Sequence, residues 1–258
     1  MQRLLTVCCF GLTLGFVRPS YGASPPPISA SVRQMVLVRA PGWNSASGSL
    51  RRYERDETRG WHELGTTVHV SLGRRGLAWG RGLQAEGELG PIKREGDARS
   101  PAGVFALQTA FGAAESLPSG ARGFPYLQAT ASTYCVEDQR SAHYNELVDS
   151  TQVKRTGWQR WSPLRRADGL FRFGVVVRQN APDVVVGAGS CVFLHVWRGE
   201  HQPTVGCTAM APEAIEEILR WLDDKAEPVL VQLPEPVYQS VRSAWSLPDD
   251  DAATPSTR

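Results

Sequence analysis

Short apolar runs recur along the chain, and none is long enough to be anything but a strand. They are QMVLVR from Gln34, TTVHVSL from Thr66, GVFAL from Gly103, FGVVV from Phe173, DVVVGAG from Asp183, CVFLHVW from Cys191 and VLVQL from Val229. Each is rich in β-branched or aromatic residues and bounded by glycine, proline or asparagine, the pattern of strands joined by turns. One segment instead keeps helical time: Ile215, Ile218, Leu219 and Leu222 fall at i, i+3, i+4 and i+7. Pro212 suits its first turn, Glu213, Glu216 and Glu217 suit the positive end of its dipole, and Pro228 lies beyond its stop. A weaker helical segment is expected through SAHYNELVDS, Ser141 to Ser150. The fold class that follows is mainly β (α+β), one domain with a few helices, from about residue 33 to 235. At 258 residues and 41% hydrophobic composition the chain has enough material to bury a core.

The ends carry addresses rather than chemistry. Arg3 followed by the apolar run Leu4 to Val17, then the small residues Ser20 and Gly22, reads as a signal peptide over residues 1–23. The alternative is an uncleaved membrane anchor, for which the run is short. Residues 24–32 (SPPPISASV) form a proline-rich linker, and residues 236–258 a C-terminal tail ending in a polar, frayed stretch. An exported chain loses Arg3 and Arg18, so its 28 basic residues fall to 26, equal to the 26 acidic ones. That neutrality gives no electrostatic reason to expect nucleic acid as a partner, and membrane contact is expected only through an uncleaved leader. Cys8 and Cys9 leave with the leader, and three thiols remain: Cys135, Cys191 and Cys207. In an oxidising compartment they cannot all pair.

His195 and Cys207 are the pair with chemical interest. Twelve positions apart, they would lie about 40 Å from each other in an extended chain. A hairpin with the five-residue loop Gly199 to Pro203 sets His195 directly opposite Cys207, whereas a slip of one residue destroys the pairing. A neighbouring imidazolium lowers a thiol pKa from about 8.5 to roughly 3.5–7.5, making Cys207 a nucleophile with His195 as base and later acid. Gly206 leaves room for an acyl carbonyl to approach the backbone, with the N–H of Cys207 and a neighbour aimed at the oxyanion. Other readings stand beside this one: a structural or disulfide-bonded Cys207, His201 as base, or a metal held by His195, His201 and Cys207, for which no dense ligand cluster exists. Alternation puts Cys191 about 13 Å from His195 along one strand face, too far for a nucleophile. Cys135 and Cys191 are then the natural disulfide, with Cys207 free; the alternative is that both are reduced. His69 alternates with Val68 and Val70 on an expected solvated strand face, and His62 and His143 have no partner visible in the sequence.

Several fragments in order resemble the L,D-transpeptidase catalytic-domain family, bacterial envelope enzymes with a cysteine nucleophile. KREGDARSPAGVFAL (Lys93 to Leu107) resembles its glycine-proline strand ahead of the active site. FLHVW resembles its histidine strand, and PTVGCTAM (Pro203 to Met210), with the following helix, its Ser/Thr-x-Gly-Cys segment. YCVEDQRSAHYNELVD (Tyr134 to Asp149) and GSCVFLHVW are similar to a subgroup of that family. The resemblance implies a β-sandwich with Cys207 as nucleophile, His195 as base, and a backbone carbonyl near Val196 orienting the ring. It implies no cofactor and a periplasmic or cell-envelope location. The implied substrates are peptidoglycan stem peptides, cut between an L-centre and a D-centre through a thioester. An amine acceptor then gives an L,D-crosslink and water an L,D-carboxypeptidase. Carbapenem-type β-lactams are the implied acylating inhibitors.

The sequence departs from the family pattern at named positions. Val205 stands where a second histidine is usual, Ala209 where an arginine or asparagine is usual, and Val196 where glycine is frequent; the His-to-Cys interval is also short. These changes bear on substrate anchoring and acceptor choice, for which Arg198, Trp197, Tyr144 and Asn145 are the candidate contacts, or else ordinary surface and core residues. A papain-like arrangement has the cysteine first, and a sortase needs a trailing arginine that has no counterpart here. A binding module that has kept the cleft and lost turnover is the reading from outside enzymology.

Overall fold

The computed structural model describes residues 26–56, 58, 60–85, 89–153 and 157–249. The expected signal peptide lies outside the described residues. Strands β1 (Gln34–Ala40), β2 (Ser47–Asp56) and β3 (Gly60–Ser71) form an antiparallel meander. The short β4 (Leu77–Trp79) runs parallel to the long β5 (Ser100–Gly112), which also pairs with β6 (Tyr126–Gln128). Strands β7 (Thr133–Val136), β8 (Leu147–Asp149) and β9 (Trp161–Pro163) make a separate small sheet in the order β8-β7-β9. Then come β10 (Gly174–Val177), β11 (Phe193–Val196), β12 (Thr208–Met210), helix α1 (Pro212–Trp221), β13 (Val229–Pro234) and helix α2 (Glu235–Val241).

The large sheet runs β10-β11-β12-β3-β2-β1-β13-β5-β4, and β10 also pairs with β5. That last pairing folds the sheet back on itself, so the sandwich is closed along one side and its inner strands have no free edge. The fold class is the mainly β one expected. β1 and β13 are buried along almost their whole length, because the core lies on one face and α2 covers the other. Tyr238 of α2 is buried, and the Arg39 guanidinium lies 4.4 Å above its ring. The folded chain therefore continues past the expected limit at residue 235. Leu247 is buried and the Tyr238 hydroxyl donates to the Pro248 carbonyl. At the other end Ile28 and Val32 enter the main core, so the proline-rich linker is partly structural.

α1 starts at Pro212, as the sequence pattern requires, and buries Ile215, Ile218 and Leu219. β2 escaped the reading because SGSLRRYERD looks solvated. Its charges are paired instead: Arg51 with Glu63 at 3.2 Å, and the buried Arg52 with Glu217 of α1. Two expectations fail. DVVVGAG is a loop, with Val184, Val185 and Val186 exposed, since the Asn180 side chain takes the Val185 N–H and the Val185 and Gly189 carbonyls that a ladder needs. SAHYNELVDS is a run of turns leading into β8, because Asn145 adopts the left-handed conformation (φ 67°) and breaks helical continuity.

Candidate active site

β11 and β12 run parallel, with Leu194 opposite Thr208, His195 opposite Ala209 and Val196 opposite Met210. This overturns the expected hairpin with His195 facing Cys207. The connection from 197 to 207 is an arch rather than a tight turn, because its last residues are drawn to β3: Thr204 N–H bonds to the Leu72 carbonyl at 2.8 Å, and the Arg74 N–H returns to Thr204 at 2.9 Å. Cys207 precedes Ala209 by two residues, at the mouth of β12. The arch still delivers Cys207 to the pocket that His195 lines, together with Trp197, Arg198 and Phe171, a space of about 170 Å³.

The imidazole is held on two sides. His195 Nδ1 lies 2.6 Å from the Val196 carbonyl oxygen. A carbonyl only accepts, so Nδ1 carries the proton and Nε2 is left as the acceptor. The Phe171 ring meets the imidazole edge-on at 5.1 Å, and Phe171, Phe193 and Phe111 pack on one another in T-shaped pairs. Gly174, opposite His195, makes this possible, since a Cβ there would meet the Phe111 ring at 2.6 Å. Burial pushes the His195 pKa down to about 4, against the upward pull of the Val196 and Leu170 carbonyls. The imidazole is neutral at pH 7, in the state a general base requires.

The turn that presents Cys207 is fixed by hydroxyls that sequence reasoning missed. Thr204 Oγ1 donates to the Cys207 carbonyl at 2.6 Å and accepts the Gly206 N–H at 3.0 Å. Ser100 Oγ donates to the same carbonyl at 2.8 Å and accepts the Gly73 N–H at 2.9 Å. The only local signal was Thr204 itself, three residues before the cysteine. Gly206 is therefore a spacer whose N–H is occupied, not a free oxyanion donor. Cys207 is a free thiol, while Cys135 and Cys191 form a disulfide. The Cys207 Sγ–H points at the Cys191 carbonyl 3.7 Å away, and burial pushes the thiol up to about 11, helped by the negative charge of Glu137 and opposed by the Phe193 N–H and Lys93. The expected lowering by an imidazolium does not occur, because the ring that shares this pocket is itself too buried to hold a proton. Thiol and imidazole line one pocket, both neutral, with the Sγ–H directed to the Cys191 carbonyl.

Trp197 and Arg198 line the pocket, as does Arg166, which sequence reasoning did not single out. Tyr144 and Asn145 lie elsewhere. Tyr144 is buried with its hydroxyl on Glu95, and Asn145 accepts the Cys191 N–H at 2.9 Å while donating to the Gln179 and Asn180 carbonyls, so it holds the Cys191 backbone in place. His201 is exposed on the arch with its ring 4.9 Å from that of His69, outside the pocket. His69 is thus covered by His201 and Trp197 rather than solvated. His143 pairs with Glu146 at 2.8 Å, and His62 lies 4.0 Å from Asp56. Among the described residues no group of three or more His, Cys, Asp or Glu side chains is arranged to hold a metal ion.

A second cleft of about 300 Å³ opens on the other side of Cys207, lined by Arg74, Lys93, Glu95, Glu137 and Arg160 among others. Glu137, which nothing in its local sequence marks, lines both spaces. Searches of the curated proteins and of the solved structures returned no match to the chain. The family model YkuD, described as the L,D-transpeptidase catalytic domain, matches residues 43–231, a span that includes the small sheet, the histidine strand and the turn that presents Cys207. A match over most of the sequence, on a sheet-rich fold with this thiol and imidazole in one pocket, means that the chain belongs to the L,D-transpeptidase catalytic-domain family.

Proposed function

We propose that the protein is an exported peptidoglycan-remodelling enzyme of the cell envelope that transfers an acyl group through Cys207, making L,D-crosslinks between stem peptides. The observation that carries this reading is a free thiol sharing a pocket with a buried, neutral imidazole whose Nδ1 is clamped by the Val196 carbonyl. His195 Nε2 takes the proton of the thiol as sulfur attacks the carbonyl between the L-centre and the D-centre. The same nitrogen gives that proton to the departing amine, leaving a thioester. Because Thr204 occupies the Gly206 N–H, the oxyanion relies on the N–H of Cys207 itself, and losing one such donor typically costs about 2.7–4 kcal/mol of barrier. An amine then attacks the thioester, its proton passing through Nε2 to the leaving sulfur. Trp197 and Arg198, at the pocket wall, are the contacts proposed for the donor stem.

Incubation with meropenem followed by intact-mass spectrometry tests the reading. A covalent adduct on the wild type that is absent from Cys207→Ala supports it. An unlabelled wild type that still binds cell wall identifies a binding module instead. Product analysis with a purified tetrapeptide muropeptide then separates dimer, the crosslinking outcome, from tripeptide, the outcome of an L,D-carboxypeptidase.

A further inference from the structure

Cys207 Sγ meets two backbone groups on one short stretch of chain. As a thiol it donates to the Cys191 carbonyl at 3.7 Å, and the Phe193 N–H, two residues on, bonds to the sulfur and favours its charged form. The stretch from 191 to 193 is thus a cradle, with an acceptor for the S–H and a donor for the thiolate. Glu137 and Lys93 act on the sulfur through their charges, with opposite signs. The cradle is what sets where the sulfur stands.

The cradle does not hold itself. Cys191 adopts the left-handed conformation (φ 54°), which a residue with a Cβ keeps only where its surroundings impose it. β11 starts at Phe193, so the Cys191 carbonyl lies ahead of its ladder. On the C-terminal side the chain is tied at Val192, whose carbonyl accepts the Val177 N–H at 3.0 Å. On the N-terminal side the tie is Asn145, whose Oδ1 accepts the Cys191 N–H at 2.9 Å. The disulfide to Cys135 fixes the Cys191 side chain but not the tilt of its peptide planes. Asn145 is itself firmly placed: its N–H bonds to the Val136 carbonyl at 2.9 Å, and its Nδ2 donates to the Gln179 and Asn180 carbonyls at 3.0 Å each. Its φ of 67° is one that asparagine tolerates better than most residues. One side chain therefore joins the small sheet, the loop after β10 and the entry to β11.

We propose that Asn145 is a positioning residue for the nucleophile: by pinning the Cys191 N–H it fixes the cradle, and with it the place of the Cys207 sulfur in the pocket that His195 lines. The inference rests on the acyl-transfer reading and deepens it. In acylation the S–H turns from the Cys191 carbonyl to His195 Nε2 and gives up its proton there. The electron pair left on sulfur is met by the Phe193 N–H until the C–S bond to the acyl carbon forms. In acyl transfer the C–N bond to the amine forms and the C–S bond breaks, so the pair returns to sulfur beside the same N–H. The proton that Nε2 takes from the amine then restores the thiol. Asn145 touches no reacting atom; it keeps the sulfur at one setting through both steps.

The test uses the full-length purified protein and a disaccharide-tetrapeptide donor, with release of the terminal D-residue reporting acylation. Asn145→Gly removes the three side-chain bonds without straining the backbone, whereas Asn145→Asp keeps the acceptor for the Cys191 N–H and loses the two donations. Asn145→Gly is expected to lose at least tenfold in kcat with KM within twofold, and Asn145→Asp to stay within threefold of the wild type. Asn145→Ser, too short for the bond to Cys191, is held to the same expectation as Asn145→Gly, so that either truncation decides. The infrared S–H stretch of Cys207, isolated by subtracting the spectrum of Cys207→Ala, reads the cradle directly. It is expected to broaden and move to higher wavenumber in the truncations, as a thiol losing its acceptor does, and to keep its position in Asn145→Asp. Gln179→Ala removes a buried tie of the same loop, the Nε2 bond to the Ala188 carbonyl, and spares the bond to Cys191. It is expected to match the wild type in kcat and in the S–H band, whatever it costs in melting temperature.

The proposal is overturned if truncation at 145 leaves kcat within twofold, if KM rises in step with the loss, or if the S–H band does not move. It is also overturned if Asn145→Asp falls as far as the truncations, which would put the role in the bonds to Gln179 and Asn180, or if Gln179→Ala reproduces the loss. All of these outcomes leave the acyl-transfer reading standing. A wild type that neither releases the D-residue nor is labelled by meropenem at Cys207 removes that reading, and the proposal with it.

Discussion

At position 207 the sulfur meets two opposing demands. It has to be reachable by a peptide carbonyl, yet it sits low enough for burial to push its pKa up to about 11. Roughly one molecule in ten thousand then carries a thiolate at pH 7, and alkylation of the resting protein should be slow. The rate constant for iodoacetamide is expected to climb about tenfold per pH unit from 7 to 10, followed by loss of free thiol on the intact protein. A plateau below pH 7 would instead reveal a preformed thiolate-imidazolium pair. Catalysis by such a site starts from a thiol and a base rather than from a ready-made ion pair, so the proton must move as the substrate arrives. This follows from the burial of the imidazole against Phe171, which Phe111 and Phe193 back in turn.

Among the elements, the small sheet of β7, β8 and β9 borders the site without contributing its thiol or its imidazole. Its link to the large sheet is the Cys135–Cys191 disulfide, which closes a loop with a sequence separation of 56 residues. Reduction, or the double change Cys135→Ser, Cys191→Ser, is expected to cost about 2–5 kcal/mol of stability and to lower the melting temperature. Thermal unfolding with and without reductant checks this, and coincident melting curves would contradict it. This region also marks the limit of sequence reading. The β-branched and aromatic run around His195 identified its strand, and the helical period placed α1, because α1 buries one face and its apolar residues repeat accordingly. The parallel pairing of β11 with β12 was not legible, since a loop with a glycine and a proline fits a hairpin equally well and only the distant Leu72 draws the arch away. β2 was hidden because the partners that neutralise Arg51 and Arg52 come from β3 and α1, not from its own sequence. The contacts of Tyr144 and Asn145 were hidden for the same reason, their hydrogen bonds running to residues 34 to 49 positions away.

For the whole molecule, closure of the sheet through β5 and β10 ties both halves of the sandwich into one unit, and a proton bound anywhere in its core is bound at the expense of the fold. His195 is the group to watch. Its folded-state pKa of about 4 lies below the value of about 6.5 for an unfolded histidine, so the unfolded chain takes up the proton first as pH falls. Its contribution leaves stability undiminished above pH 6.5 and erodes it between 6.5 and 4, by up to about 3 kcal/mol in all. Urea unfolding at a series of pH values is expected to give the wild type a steeper loss over that interval than His195→Phe, which cannot take up the proton. Parallel profiles for the two proteins would show that the ring titrates as in water.

The arch between β11 and β12 has one more consequence. The ladder, not the arch, sets the relative height of the histidine and the cysteine, so the span from Trp197 to Pro203 resembles a handle bolted to a rigid frame. Segments of other lengths and chemistries can be grafted there while the frame stays true, which makes this stretch the natural place to change what the pocket admits.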